Sequence, residues 1–380
     1  GMHRIADTFG PIPYVNYGSS SLYDALDLVY NKFFEELDNA IEVLSNYVNG
    51  NVDAKLMSDY DCVYGGDVEK WVKFANTLRL RLAIRVSYAN PTLAEAQAKK
   101  SMENMFGFIE SKAERAELSH NSLEYHHPLH EIAYNFNSGD CRPGATIVAY
   151  LNGLNDSRIS SYFTAADDGE YHGVRIGITT SNMSNYQGNK ISNLNINRAS
   201  TPVVWMTAAE SFFLRAEGAL RGWDMGGTAK SFYEQGVRMS FEENNAAGVD
   251  DYLADHTSTP GAFADNVGSD NYTFSSRVTP AWDDNAGFEA QLERIITQKW
   301  IANYPDGPEG WSEYRRTGYP EVIPVVRNSS NGTIDTQLQV RRLPYTRDEK
   351  INNASGVASG ISALGGKDTG GAKLLSLIHI

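Results

Sequence analysis

The residues of this 380-residue chain best suited to chemistry are aromatic and amide side chains set among glycines, serines and acids. Tyrosine occurs 21 times and tryptophan 6 times, and aromatics make up 11% of the sequence. A pyranose ring stacks its C–H face on an aromatic ring while its hydroxyls need polar partners at the rim, so the chemistry such residues support is sugar binding. The candidate stacking residues are Tyr162, Tyr171 and Tyr186 in the stretch 111–204, and Tyr252, Tyr272 and Trp282 in the stretch 246–287. Taken singly, each is accounted for by ordinary packing, because tyrosine is commonly half-buried. The run NLNIN over 193–197 alternates, which places Asn193, Asn195 and Asn197 on one strand face with Leu194 and Ile196 facing inward. That amide row is either a hydroxyl-binding surface or a solvated strand face.

Catalytic patterns are weaker. His126 and His130 have the i, i+4 spacing of two metal ligands on a helix, beside His127 and Glu131. Pro128 lies between them and opposes a helix, and HEIAY (130–134) lacks the second histidine of a zincin motif. Asp167, Asp168 and Glu170 around Gly169 offer oxygens to calcium but lack EF-hand spacing, so the reading favours an exposed acidic turn. No GxSxG, P-loop, GxGxxG or paired CxxC pattern is present. Catalytic residues, metal ligands and cofactors are therefore assigned to none. Paired glycosidase carboxylates are defined by separation in space, and 47 acidic residues supply many pairs, so a glycoside or metal hydrolase stands as the catalytic alternative.

The elements that must position these residues are mostly helical. Leu22, Leu26, Val29, Phe33, Leu37, Ile41 and Leu44 recur at threes and fours and predict a helix over 22–48, with Ser21 as N-cap and Gly50 as stop. Asp67 is placed to cap a helix reaching about Tyr88 before Pro91, and a shorter helix follows over 92–106. Periodicity fades over 111–204, where Asn, Ser, Gly and Tyr predict loops and short strands. Helical pattern returns at Thr207, whose spacing to Glu210 fits a capping box, and continues over about 228–244 after a glycine break. A second loop-rich stretch, 246–287, precedes helices over about 288–303 and 308–316. Paired helices with alanine at close-packing sites suggest tetratricopeptide units, although no clean ~34-residue repeat aligns.

Composition bounds the partners. A formal charge of −14 with a pI near 5.0 excludes a nucleic-acid partner, which needs clustered Lys and Arg. No apolar run approaches the ~20 residues that cross a bilayer, and IVAYL (147–151) is core-sized, so the chain as given reads as soluble. Cys62 and Cys141 are too few for a disulfide framework; they form one bridge or remain thiols, and the reading favours thiols. Gly1 before Met2 resembles the scar of tag removal. Sequons such as Asn182-Met183-Ser184 matter only in a eukaryotic secretory route.

Several blocks together resemble the SusD/RagB family of surface glycan-binding lipoproteins: WVKFANTLRLRLAIR (71–85), MTAAESFFLRAEGALRGW (206–223) and ERIITQKWIANYPDGPEGWSEYRRTGYP (293–320). DTFGPIPY (7–14), YLNGLNDSR (150–158), GVRIG (173–177) and RRLPYTRDEKINN (341–353) are similar to further family segments in the same order. The resemblance implies a mainly α fold over 1–380, one SusD-like domain built as a tetratricopeptide-like helical superhelix. Its scaffold would be about 21–110, 205–245 and 288–320, with the loop-rich insertions 111–204 and 246–287 forming a ligand-binding subdomain. It implies non-catalytic capture of oligosaccharide or polysaccharide at the bacterial outer membrane and delivery to a SusC-like TonB-dependent transporter, with peptide uptake, as in RagB-like members, the alternative. Trp71, Trp223, Trp300, Trp311, Arg315 and Arg316 fall inside the family blocks and are read as scaffold. Members begin with a lipoprotein signal, a lipid-bearing cysteine and a helical stretch ahead of the segment that here starts at Asp7, and end with a KLWW-type tail where this chain reads KLLSLIHI (373–380). A truncated or frameshifted gene would give both ends, and the lipid anchor is assigned to no residue present.

Overall fold

The computed structural model describes residues 1–51, 53, 55–118, 127–136, 139, 141–178, 180–265, 268 and 270–374. Consecutive helices pack in pairs. α1 (Met2–Phe9) rests on α2 (Leu26–Gly50), which lies against α3 (Val68–Arg85), and α3 against α4 (Pro91–Glu103). The one-turn α5 (Pro128–His130), α6 (Ala145–Gly153) and α7 (Ile159–Tyr162) follow. α8 (Ala208–Leu220) pairs closely with α9 (Ala229–Glu243), followed by α10 (Val249–Leu253). α11 (Phe288–Ala302) packs on α8 and on α12 (Gly307–Thr317), and α13 (Arg347–Asn352) and α14 (Ala354–Ala363) close the described chain. This is a mainly helical, tetratricopeptide-like superhelix. Close approach is enforced by small residues: a Cβ on Gly236 of α9 would lie 2.8 Å from the Phe213 ring of α8.

Caps fix the helix starts. Asp67 accepts from the Lys70 amide at 3.1 Å, Asn90 from Leu93 at 3.1 Å ahead of Pro91, and Thr228 forms a full box with Ser231. At Thr207 only half the box forms: its hydroxyl accepts from the Glu210 amide at 3.0 Å, but the Glu210 carboxylate turns instead to Arg81. α2 starts four residues later than its apolar pattern suggests. Asp24 draws the preceding chain into a loop by accepting from the Tyr14 and Val15 amides at 2.9 and 2.8 Å, and Ser21 caps nothing.

The loop-rich stretch 111–204 carries two small antiparallel sheets, β1 (Ala116–Leu118) with β4 (Val203–Met206) and β2 (Phe163–Thr164) with β3 (Asn193–Leu194). It also contains α6, a helix whose sequence shows no periodicity because Ala145, Ile147, Val148, Ala149, Tyr150 and Leu151 bury it all round.

A dense ionic centre links the helices. Arg81 bonds Glu210 at 2.7 Å, Arg85 reaches Glu309 at 2.6 Å and also Glu313, and Lys299 reaches Glu309 at 3.1 Å. Arg316 clamps Glu217 at 2.6 and 2.7 Å, and all these side chains are at most 3% exposed. Burial opposes ionisation of Glu313, yet Arg316, Lys299 and Arg85 outweigh it and bring its pKa down to about 2. Arg315 instead donates to main-chain carbonyls of Asp7 and Arg341 at 2.6 and 3.0 Å, with its guanidinium 3.8 Å from the Trp311 ring centre. Among the described residues, no helix is long and apolar enough to cross a membrane.

Candidate ligand-binding site

The two loop-rich stretches meet on α6. Gly153 at the end of that helix lies so close to the chain at Gly261 that a Cβ would sit 1.9 Å from the Gly261 nitrogen, and Gly261 N–H donates to the Ala149 carbonyl at 3.1 Å. Glycine on both sides lets two backbones touch. Beside that contact opens a cavity of about 230 Å³, walled by Val148, Ala149 and Asn152 of α6, Glu170 to Gly173, Tyr186 and the segment 261–265.

Its polar groups are held in place. The Tyr186 hydroxyl donates to the Asp265 carboxylate at 2.8 Å, and burial together with that bond pushes its pKa up to about 12. Asp265 also accepts from the Gly268 amide at 3.1 Å, and its own N–H donates to Asn271 at 2.8 Å. Asn152 donates to the Tyr171 carbonyl at 3.1 Å, and the His172 N–H donates to Ser192 Oγ at 3.0 Å. The arrangement puts one half-buried ring, Tyr171, and one buried ring, Tyr186, beside a carboxylate, an amide and an imidazole. A sugar face and its hydroxyls call for that pairing of apolar and polar surface.

Of the residues singled out from sequence, Tyr171 and Tyr186 come together here. Tyr272 is half-buried in a separate cleft of about 620 Å³, with Tyr314, Tyr319, Glu293 and Glu321. Tyr162, Tyr252 and Trp282 are corrected: all are core residues, 4%, 5% and 6% exposed, and they line neither cavity, whereas Tyr186, equally buried at 5%, lines the first. Tyr162 donates to the Ile301 carbonyl at 2.9 Å, Tyr252 accepts from Gln298 at 2.7 Å, and the Trp282 indole packs on Tyr233 and donates to Asp284 at 3.0 Å. The NLNIN face alternates as its sequence indicates, with Leu194 and Ile196 buried, but Asn193 and Asn195 spend amides on the Ala133 and Ser160 carbonyls at 3.3 and 3.0 Å.

The other candidates are structural. Asp168 closes a turn onto the Glu170 amide at 3.0 Å and pairs with His172 at 2.8 Å, while Asp167 and Glu170 stay exposed. His127 caps α5 by accepting from the Leu129 amide at 3.2 Å, and His130 stacks on Tyr134; His126 lies outside the described residues. Among the described residues no group of three or more His, Cys, Asp or Glu side chains is placed to hold a metal. Cys62 and Cys141 are free thiols. Sequence reasoning missed Asn152, His172 and Asp265, whose signal was the glycine- and Asx-rich spacing around Gly173, Gly261 and Gly268.

Residues 1–376 match the family described as "SusD-like: Susd and RagB outer membrane lipoprotein". The chain belongs to the SusD/RagB family. Solved SusD homologues agree in fold. A chitin-binding SusD homologue from Flavobacterium johnsoniae is 41% identical with a TM-score of 0.94, covering 100% of this chain and 79% of its own. SusD homologues from Bacteroides uniformis (42%, TM-score 0.91) and Bacteroides thetaiotaomicron (40%, TM-score 0.92) each cover 99% of this chain and 78% of their own. No curated protein matches. These SusD relatives are named for a family of outer-membrane lipoproteins, one of them for glycan binding and none of the three for an enzymatic activity.

Proposed function

We propose that this SusD-like chain captures oligosaccharide at the outer face of the outer membrane and delivers it to a SusC-like TonB-dependent transporter, making and breaking no bond. In this reading the superhelix meets the transporter as a lid on its barrel, and the stretches 111–204 and 246–287 select the sugar. A lipid anchor of the kind the family description names would hold the assembly at the surface. The observation that carries the reading is the cavity in which Tyr171 and Tyr186 meet Asp265, Asn152 and His172, in a chain 41% identical to a chitin-binding homologue. Chitin oligosaccharides are accordingly the first ligands to test.

Affinity gels cast with chitin derivatives and other plant, fungal and host glycans test it. Retardation by one glycan, lost in Tyr171→Ala, supports the reading; a folded chain that migrates unchanged through every gel counts against it. Peptide uptake is the second reading, favoured by the charge of −14. Salt separates the two, since a charge-driven peptide complex weakens as ionic strength rises and ring stacking barely changes.

A further inference from the structure

The cleft around Tyr272 shares no lining residue with the first cavity. One main-chain ribbon nevertheless walls both. Phe263 lines the first cavity and Tyr272 the second, and the two residues exchange N–H···O=C bonds of 2.8 and 3.0 Å. An antiparallel hydrogen-bonded pair of this kind holds its Cα atoms ~5.5 Å apart with both side chains on one face of the ribbon. The ribbon is tied to the first cavity's wall as well. Arg175, just beyond Gly173, donates to the carbonyls of Asp270, Asn271 and Pro324 at 2.9, 3.0 and 3.0 Å, and its guanidinium lies 5.6 Å from the Tyr272 ring centre.

The second cleft has its own fixed rings. Tyr272 donates to Glu321 at 2.8 Å, Tyr314 to the Gln337 carbonyl at 3.0 Å and Tyr319 to Glu289 at 3.1 Å, so each half-buried ring is anchored by its hydroxyl. Polar groups lie beside them. Glu293 accepts from Ser276 Oγ at 2.5 Å, and Arg277 stands exposed at the rim, making no hydrogen bond or ion pair among the described residues. Anchored rings flanked by a carboxylate and a free guanidinium suit a hydroxyl-rich ring better than an apolar ligand.

We propose that this cleft is a second carbohydrate subsite, and that one oligosaccharide runs across the Phe263–Tyr272 ribbon from the first cavity into it. The proposal rests on the glycan reading above and adds to it a dependence on chain length. A glycan that reaches both cavities makes its second contact at high effective concentration, so affinity climbs once the oligomer is long enough to cross the ribbon.

Calorimetric titration with chitin oligosaccharides, from the disaccharide to the hexasaccharide, tests this on the intact chain. The wild type should tighten roughly three- to tenfold between the short and long oligomers, the worth of an added ring contact. Tyr272→Ala should remove that increment and leave the short oligomers bound as before. Arg277→Ala, which removes no hydrogen bond or ion pair among the described residues, should reduce the increment in the same direction. Equal affinity for short and long oligomers, or an increment that survives both substitutions, overturns the second subsite while leaving the glycan reading intact. A folded chain that binds no oligomer at all overturns both.

Discussion

At the scale of single residues, the distinction that matters is between rings committed to the core and rings left with a face. Tyr162, Tyr252 and Trp282 were legible as aromatic but not as buried, because their burial comes from helices far off in sequence, Ile301 and Gln298 on α11 and Tyr233 on α9. Tyr171 and Tyr186 were legible as candidates, whereas Asp265, the partner of Tyr186, was marked only by the glycine- and Asx-rich spacing around it, which does not say which of 47 acids meets a tyrosine across 79 residues of chain. Substituting Asp265 by Ala should unhook Tyr186 and the Gly268 turn and weaken glycan binding by roughly tenfold or more, measured by calorimetry, with the lost hydrogen bonds to a charged group setting the scale. Glu243 gives a prediction about pH. Burial raises its pKa to about 7, against the hydrogen bonds from the Ala208 and Ala209 amides and the attraction of Arg115 that lower it. The folded state therefore holds a proton that the unfolded chain releases near pH ~4.3, so this group's contribution to stability falls as pH rises from ~4.3 to about 7 and is flat above. Glu243→Gln should remove that slope, worth up to roughly 3 kcal/mol, in denaturant melts taken across the window.

At the scale of elements, helices with both a cap and a long apolar stripe were legible, and α6 and α14 were not. α3, α4 and α9 carry cap residues and an apolar stripe, and their starts lie at or beside the positions those signals indicate. α6 lacked a stripe because it is buried all round, and α14 is built from Ala, Ser and Gly around a few apolar residues. The Gly153–Gly261 contact that joins the two loop-rich stretches was equally silent, since one glycine in sequence does not name its partner. Gly153→Ala should cost at least about 1–3 kcal/mol through overpacking against the facing main chain, and should loosen the cavity beside it, so that thermal melting and glycan affinity fall together. Asp67→Ala, which removes the N-cap of α3 at a residue lining neither cavity, should cost about 1 kcal/mol and leave glycan affinity unchanged.

At the scale of the whole molecule, an acidic chain is organised around a buried ionic centre, with the first cavity between the two inserted stretches and the second cleft where the stretch 246–287 meets α11 and α12. The residues of that centre lie inside the blocks that resemble the family, but of them only Arg316 was read as scaffold; that Arg316 meets Glu217 and Glu313 and not main-chain carbonyls is visible only in three dimensions. Glu313→Gln leaves Arg85, Lys299 and Arg316 short of a carboxylate and should destabilise the fold by about 3–5 kcal/mol, read from chemical denaturation. Because the Glu313 pKa is held at about 2, its stabilisation persists above ~4.3 and is lost as pH falls from there toward 2, a window below that of Glu243. Across these scales we propose that the superhelix holds a sugar-binding cavity and acts by binding alone. The most direct measurement is affinity electrophoresis of wild type and Tyr171→Ala against a glycan panel that includes soluble chitin derivatives, with each recovered glycan sized afterwards. The expected result is retardation by at least one glycan, loss of that retardation in the variant, and glycan recovered at its original length. A folded wild type retarded by none, or a glycan recovered shortened, would contradict it.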